Sequence, residues 1–425
     1  MFSCPFGLSG GFAMMKNVIS AVCIKCGAEH EAVPTVTTCK KCGGILDIKY
    51  DYRYIRSQID RKKLADRKEN TMWRYMEYLP VTGESKVNKL RVGMSPFYEA
   101  PRLAERLGIR KLYIKDDGIN PTASLKDRAS AMAVVKAEEA GMTTIACSST
   151  GNAASSLAGN AAAAGFETYI FVPERAPKGK VAQLMVFGAN VISVKGSYED
   201  TFELSAQAID RWGWYNRNAA INPYLMEGKK TVALEIAEQM NWEMPDYIAI
   251  SVGDGCTIGG LWKGLKDLYE TGMIDRLPRI ISVQAEGCCP LNSSIMENQP
   301  WTPMEENTLA DSIAVGVPRN PDKALNAIRE SDGVPVNVSD EEILEAMKLL
   351  GSAGVFAEPA GATGTAGVKK AIAQGLIPAD ASVVSVVTGS GLKDVANAMK
   401  AAGEPLAIEP DMNLLLDAFH SRGLK

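Results

Sequence analysis

Histidine is nearly absent from this chain: His30 and His420 are the only two in 425 residues. A Ser-His-Asp triad or a histidine-held metal centre therefore does not fit. Lys, Ser, Thr, Asn, backbone amides or a bound cofactor must do any chemistry. Long apolar runs are missing too, and no stretch reaches the ~18 residues of a membrane span. The opening MFSCPFGLSGGFAMMKN has an apolar patch but no basic charge ahead of it and no A-x-A-like cleavage site. It does not read as a secretory signal. A translation start at Met14 or Met15 is the plainer reading, and a cytoplasmic protein with no membrane partner is expected. Neither sign of charge is in excess. A formal net charge of −4 gives no general attraction to nucleic acid or to a lipid surface.

Cysteine is present in a pattern. Cys4, Cys147, Cys256, Cys288 and Cys289 form no framework, but Cys23, Cys26, Cys39 and Cys42 read C-x2-C-x12-C-x2-C. Two-residue spacing lets both thiolates of a tight turn face one tetrahedral ion. Gly27 and Gly43–Gly44 follow the two pairs, where they permit the turn and let backbone amides point at sulfur. In a cytosolic chain this is a zinc site rather than two disulfides, and residues 20–50 are expected to form a zinc ribbon. Lys25, Lys40 and Lys41 are offset by Glu29, Glu31 and Asp47, with no aromatic cluster. A structural zinc, replacing a core too small to fold alone, fits better than nucleic-acid binding.

Residues 51–95 form a charged connecting segment, mostly helical in pattern. Its RKKLADRK run reads as a solvated face. Near Met94–Ser95–Pro96 the character changes. KLYIKDD precedes a helix from Lys126, and TTIACSS precedes a helix from Asn152. ETYIFVP, NVISVKG, GWYNRNA, YIAISVG, RIISVQAEG and VVSVVTGSG follow, each leading into a helix or loop. Strands alternating with helices predict α/β architecture with mainly parallel, doubly wound sheet.

Four loops fall at the carboxyl ends of these strands, where open α/β sheets bind ligands. They are Asn120–Arg128, with Lys126 inside; Ser148–Ala154; Val252–Gly260; and Val387–Asp394. Each is rich in glycine and small hydroxyl residues, so backbone N–H groups can approach an anion and the next helix adds its dipole. A nicotinamide site would need G-x-G-x-x-G after the first strand. The lysine loop stands there instead.

With these motifs, PTASLKDR, SSTGNAA, VPERAPKGKVAQL, INPYLMEGKKTVALE, VQAEG, AEPAGATG and TGSGLKD, the chain resembles the fold-type-II pyridoxal-phosphate enzymes, and within them the threonine synthases. The likeness runs from about Cys23 to Asp394. It implies two open, mainly parallel sheets with flanking helices. Residues 96–126 with 223–400 would form a large cofactor-binding part, 127–222 a small mobile part, and 401–425 a helical tail. A homodimer acting on a small amino acid is implied. Lys126 would carry the cofactor and move protons at Cα. Asn152 would bond the ring hydroxyl. Gly253, Asp254, Gly255, Cys256 and Thr257 would surround the cofactor phosphate. Ser149 and Thr150, with Ser124 and Asn152, would hold the substrate, and Thr388 would face the pyridine nitrogen.

Three departures from the threonine synthase pattern keep a second reading open. TGSG stands where TGHG is common, GDGCT stands for GNAGN, and Ala314 stands where an arginine is frequent. The anionic Asp254 must turn away from a phosphate or find a cation. A threonine/serine ammonia-lyase or a β-replacement enzyme such as cysteate synthase is the alternative.

Overall fold

The computed structural model describes residues 15–87, 90–176, 178–218 and 220–421. Met14, one of the two candidate starts, lies outside them.

The N-terminal strands β1 (Val18–Cys23), β2 (Glu29–His30) and β3 (Leu46–Tyr50) form an antiparallel sheet in the order β2-β1-β3. In β3, Leu46, Ile48 and Tyr50 are buried while Asp47 and Lys49 are not, the alternation of a strand with one face on a core. Asp47 takes Lys323 Nζ at 2.8 Å and Lys263 Nζ at 3.4 Å, and Tyr50 Oη donates to Glu227 at 2.7 Å. The ribbon sheet is thereby tied into the body of the protein.

The connecting segment is less helical than its pattern predicts. It holds helices Tyr52–Gln58 and Arg61–Ala65 and a 3-10 turn Met72–Tyr78; the described residues of 79–87 and 90–95 have no regular element. The side chains of Asp51, Asp60 and Thr71 each cap a new start, which divides the run. In the RKKLADRK stretch Lys62, Lys63 and Lys68 are exposed and Leu64 is buried.

The strands that follow are β4 (Phe97–Glu99), β5 (Lys111–Asp116), β6 (Thr144–Ser148), β7 (Glu167–Pro173), β8 (Asn190–Val194), β9 (Tyr215–Asn216), β10 (Tyr247–Ser251), β11 (Arg279–Ala285), β12 (Val334–Val338) and β13 (Ser382–Val387). Six of them form one sheet in the order β12-β11-β10-β13-β5-β4, parallel except for β4; the other four form a parallel sheet, β8-β7-β6-β9. Strands β10 and β13 are buried at every position, as strands covered by helices on both faces must be. Two strands escape the sequence pattern, β4 and β12. The first is only three residues long. The second contains Pro335, which lacks an N–H and is tolerated because β12 is an edge.

The helix Lys126–Glu139 crosses between the two sheets, and its start is anchored by a buried charge network. Arg128 bonds Asp117 through Nε at 2.7 Å and Nη2 at 2.8 Å, Glu235 through Nη2 at 2.8 Å, and Thr231 at 2.8 Å. Lys115 shares Glu235 at 2.6 Å. Helix Tyr224–Lys229 lies so close that a Cβ on Gly228 would sit 2.1 Å from the Arg128 carbonyl. At the C-terminus, helix Val395–Ala402 runs across residue 401, and a last helix, Met412–Ser421, follows.

Candidate active site

The four glycine- and hydroxyl-rich loops follow β5, β6, β10 and β13 and converge on one cavity of about 690 Å³. Lys126 reaches it as the first residue of its helix. The preceding turn is fixed from both sides. Asp127 accepts from the Thr122 amide at 2.8 Å, the Thr122 hydroxyl at 2.9 Å and Asn160 Nδ2 at 2.7 Å. On the other side the lysine loop is laced to the loop after β13. Leu125 N–H donates to the Thr388 carbonyl at 2.8 Å and Ser390 N–H to the Ala123 carbonyl at 3.0 Å.

Lys126, Ser149, Thr150, Asn152, Gly253, Asp254, Gly255, Thr257 and Thr388 all line the cavity. Ser124 and Cys256 do not, although both were expected at the site. Ser124 is fully buried behind the wall, its backbone bridged to Gly389. Cys256 turns its thiol to Asn320 Nδ2 at 3.6 Å, and its amide is taken by Asp254 Oδ1 at 2.8 Å. Burial pushes the Lys126 amine down, to about 8. The neighbouring cation Lys229 adds to this and Arg217 does so less strongly, while Asp254 and Cys256 oppose it. An amine with this pKa is neutral in an appreciable fraction near neutrality and available as a nucleophile or base.

Residues 253–257 form a glycine cradle at the N-terminus of helix Cys256–Glu270. Gly255 has φ +89°, and a Cβ there would meet the Asn320 carbonyl at 2.3 Å, so only glycine fits. Asp254, the anomaly of this loop, is resolved by its neighbours. Burial alone would raise its carboxyl, but Lys229, Lys126 and the Cys256 amide hold it below the ordinary range. The Asp254 charge is therefore compensated within the cavity itself.

Asn152 opens helix Asn152–Ala164 and donates from Nδ2 to Glu358 Oε1 at 2.6 Å. Glu358 is a cavity residue that motif reading passed over, although AEPAGATG contains it. Burial raises its carboxyl to about 7, against the pull of the Asn152 hydrogen bond and of Lys393, Lys180 and Lys126. Arg217, Lys229 and Arg319 also line the wall and were missed. Arg217 sits in GWYNRNA, read only for its strand pattern, and Lys229 in INPYLMEGKKTVALE, which carries part of the resemblance without a role for the lysine.

The four cysteines do come together. The sulfurs of Cys23, Cys26, Cys39 and Cys42 lie within 4.8 Å of one another. Gly27 and Gly43 have φ of +69° and +71°, as the turns require. The Gly27 and Gly43 amides bond the Cys23 and Cys39 carbonyls at 2.9 and 2.8 Å, while other backbone amides point at sulfur: Lys25 and Cys26 at Cys23, Gly44 at Cys42, and Lys41 at Cys39 from 3.4 Å. A Cβ on Gly44 would lie 2.9 Å from the Cys23 sulfur and 3.3 Å from that of Cys42. The four sulfurs have the composition and spacing of a tetrahedral thiolate site. Among the described residues no helix is long and apolar enough to cross a membrane.

Residues 89–389 match the family of pyridoxal-phosphate dependent enzymes. The chain is 42% identical over 399 residues to a threonine synthase of Methanocaldococcus jannaschii, covering 92% of this chain and 97% of that one. It is 40% identical over 404 residues to a threonine synthase of Methanosarcina acetivorans, covering 94% and 98%. Among solved structures, the processed threonine deaminase isoform 2 of Solanum lycopersicum is similar with a TM-score of 0.63 at 21% identity, covering 76% of this chain and 97% of that one. Maize serine racemase gives 0.61 at 20%, covering 77% and 93%. At those identities the two structures speak for the fold alone.

Proposed function

The chain belongs to the pyridoxal-phosphate dependent enzymes, and on that premise we propose that it is a threonine synthase, converting O-phosphohomoserine and water to threonine and phosphate. The observation that carries the reading is the meeting of Lys126, its amine lowered to about 8 and with no carboxylate in ion-pair contact among the described residues, with the glycine cradle in one cavity. The threonine synthases similar over nearly the whole chain support the same substrate.

In this reading Lys126 holds the cofactor and then moves the Cα and Cβ protons of the substrate. The cofactor supplies an electron sink next to Cα. Gly253, Gly255 and Thr257 would receive its phosphate, with Lys229 as the cation beside them. Asn152, buttressed by Glu358, orients the ring through its hydroxyl. Ser149 and Thr150 hold the substrate carboxylate at the helix start. Thr388, which lines the cavity, would offer a neutral hydroxyl rather than a carboxylate to the cofactor's ring nitrogen, and the cofactor would then supply chemistry that favours expulsion of a leaving group. The part carrying β6 to β9 closes over the substrate. Arg319, whose guanidinium lies 4.9 Å from the Phe202 ring, and the Lys180–Asp311 ion pair span the mouth. The four cysteines hold a structural zinc.

One feature favours the alternative, a β-eliminating or β-replacing enzyme. The cavity wall carries Ala314, where threonine synthases often have arginine. A panel of O-phosphohomoserine, O-phosphoserine, serine and threonine decides between them through phosphate, ammonia and product identity. Phosphate and threonine from O-phosphohomoserine are expected, and ammonia from serine or threonine as the main product would overturn the reading. Lys126→Ala should abolish both the visible absorption of the bound cofactor and turnover, with the fold retained.

A further inference from the structure

Buried cations in this protein come with partners. Arg74, Lys115, Arg128, Lys136, Lys230 and Lys263 each pair with a carboxylate. Among the described residues, buried Arg217 and Lys229 have no such ion pair, and both line the active-site cavity. Taking a guanidinium out of water with no carboxylate in ion-pair contact is costly, and Asp254 and Asp127 act on Arg217 only from beyond that contact, so the pair calls for an explanation.

Lys229 belongs to the glycine cradle. Its Cβ lies 3.1 Å from where a Cβ on Gly260 would be, along the first turns of helix Cys256–Glu270, and it helps hold Asp254 ionised. Arg217 is carried by the other sheet. It follows β9, is 2% exposed, and spends Nε and Nη2 on a single neutral acceptor, Ser130 Oγ, at 3.2 and 3.1 Å. Nη1 has no partner among the described residues.

Two neighbours on the cavity wall are equally unspent. Ser148, at the end of β6, and Asn218 are 5% and 6% exposed, and both Ser148 Oγ and Asn218 Nδ2 lack a hydrogen-bond partner among the described residues. The Asn218 amide is oriented, since its Oδ1 accepts from the Ser148 amide at 3.0 Å. A fixed guanidinium, an oriented amide N–H and a hydroxyl, all buried and underused, are the donor set of an oxyanion site.

We infer that Arg217, Asn218 and Ser148 form a second phosphate subsite, separate from the glycine cradle, that receives the phosphate monoester on the side chain of the substrate. This rests on the reading of the enzyme as one that expels phosphate. The allocation follows from charge. The cofactor phosphate has the cradle and Lys229, and the substrate carboxylate has the start of helix Asn152–Ala164. A third, dianionic group is what an unpaired buried arginine is suited to. Arg217 supplies from β9 the cation that position 314 lacks.

The test uses the cofactor-loaded full chain and its variants Arg217→Met and Asn218→Asp. The first removes the cation, and the second keeps the size but sets a carboxylate beside it. Inorganic phosphate binding is measured by calorimetry, cofactor affinity by reconstitution, and kcat and KM with O-phosphohomoserine and O-phosphoserine. Losing one charged hydrogen-bond donor should weaken phosphate binding and raise KM for the phosphorylated substrate on the order of ten- to hundredfold. Cofactor affinity and the visible spectrum should stay unchanged. The ligand-free Arg217→Met protein should be no less stable than the parent, because it buries no unpaired charge. Variants that lose cofactor instead would reassign Arg217 to the cofactor phosphate. Unchanged phosphate binding and KM would remove the subsite. Turnover of O-phosphoserine alone, still dependent on Arg217, would overturn the threonine synthase reading and leave the subsite standing.

Discussion

Glu358→Gln isolates a buried carboxyl whose burial opposes its ionisation. The acid is 5% exposed, and its pKa is raised to about 7 from an ordinary 4.5. A tenfold change in proton affinity corresponds to ~1.4 kcal/mol, so keeping this carboxylate ionised in the fold costs about 3 kcal/mol once pH exceeds both values. The sign follows from the direction. A pKa raised on folding means that the folded state binds the proton more tightly, so stability is full below about 4.5 and falls as pH rises towards 7. Gln does not titrate and still offers an amide oxygen to Asn152 Nδ2. In cofactor-free protein, urea unfolding at pH 5, 6, 7 and 8 should show the Gln variant gaining about 2 kcal/mol on the parent between pH 5 and 8. Parallel stability curves for the two proteins would refute the reasoning. A parent that gains stability relative to Gln as pH rises would show that the carboxylate is stabilised by the lysines around it rather than penalised.

Arg128→Met should destabilise the protein by ~3–5 kcal/mol in denaturant titration, since it strands Asp117 and strips Glu235 of one of two cations; a loss under about 1 kcal/mol would mean that the network can rearrange. Cys23→Ser or Cys39→Ser should release about one equivalent of zinc, measured by metal analysis, and lower the melting temperature as the contacts of Asp47 and Tyr50 loosen. Thr388→Asp should favour a protonated ring nitrogen, producing a new long-wavelength band with substrate and slower phosphate release, while Thr388→Ser behaves like the parent. A folded Asp variant with unchanged spectrum and product ratio would defeat the Thr388 assignment.

How legible the molecule is depends on the kind of signal. Strands such as YIAISVG and VVSVVTGSG stand out because a parallel sheet buried on both faces demands unbroken β-branched and small apolar runs. Edge strands do not: β12 carries Pro335, and β4 is three residues long. The segment 51–95 misleads because helical composition says little about where caps divide a run, and Asp51, Asp60 and Thr71 do so here. Glycine-rich loops advertise themselves, so the cradle and Lys126 are visible from the chain alone. Arg217 and Glu358 are not, since nothing local separates a buried arginine from a solvated one. Only the lack of a carboxylate in ion-pair contact with Arg217, a property of distant segments, marks it.

The place of β13 has a consequence for how the protein comes into being. It is the last strand in chain order among the described residues, yet it lies between β10 and β5 in the middle of the six-stranded sheet. Until the ribosome has delivered Ser382–Val387, β5 and β10 have no shared neighbour, and each presents an open edge to whatever else is nearby. Such edges recruit wrong partners, and pairings of high sequence separation form slowly. The lacing of Ala123–Leu125 to Thr388–Ser390 waits on the same strand. A nascent chain therefore cannot hold Lys126 in this position until residues 382–390 are made, and a chain cut short before residue 382 lacks the central strand of its larger sheet.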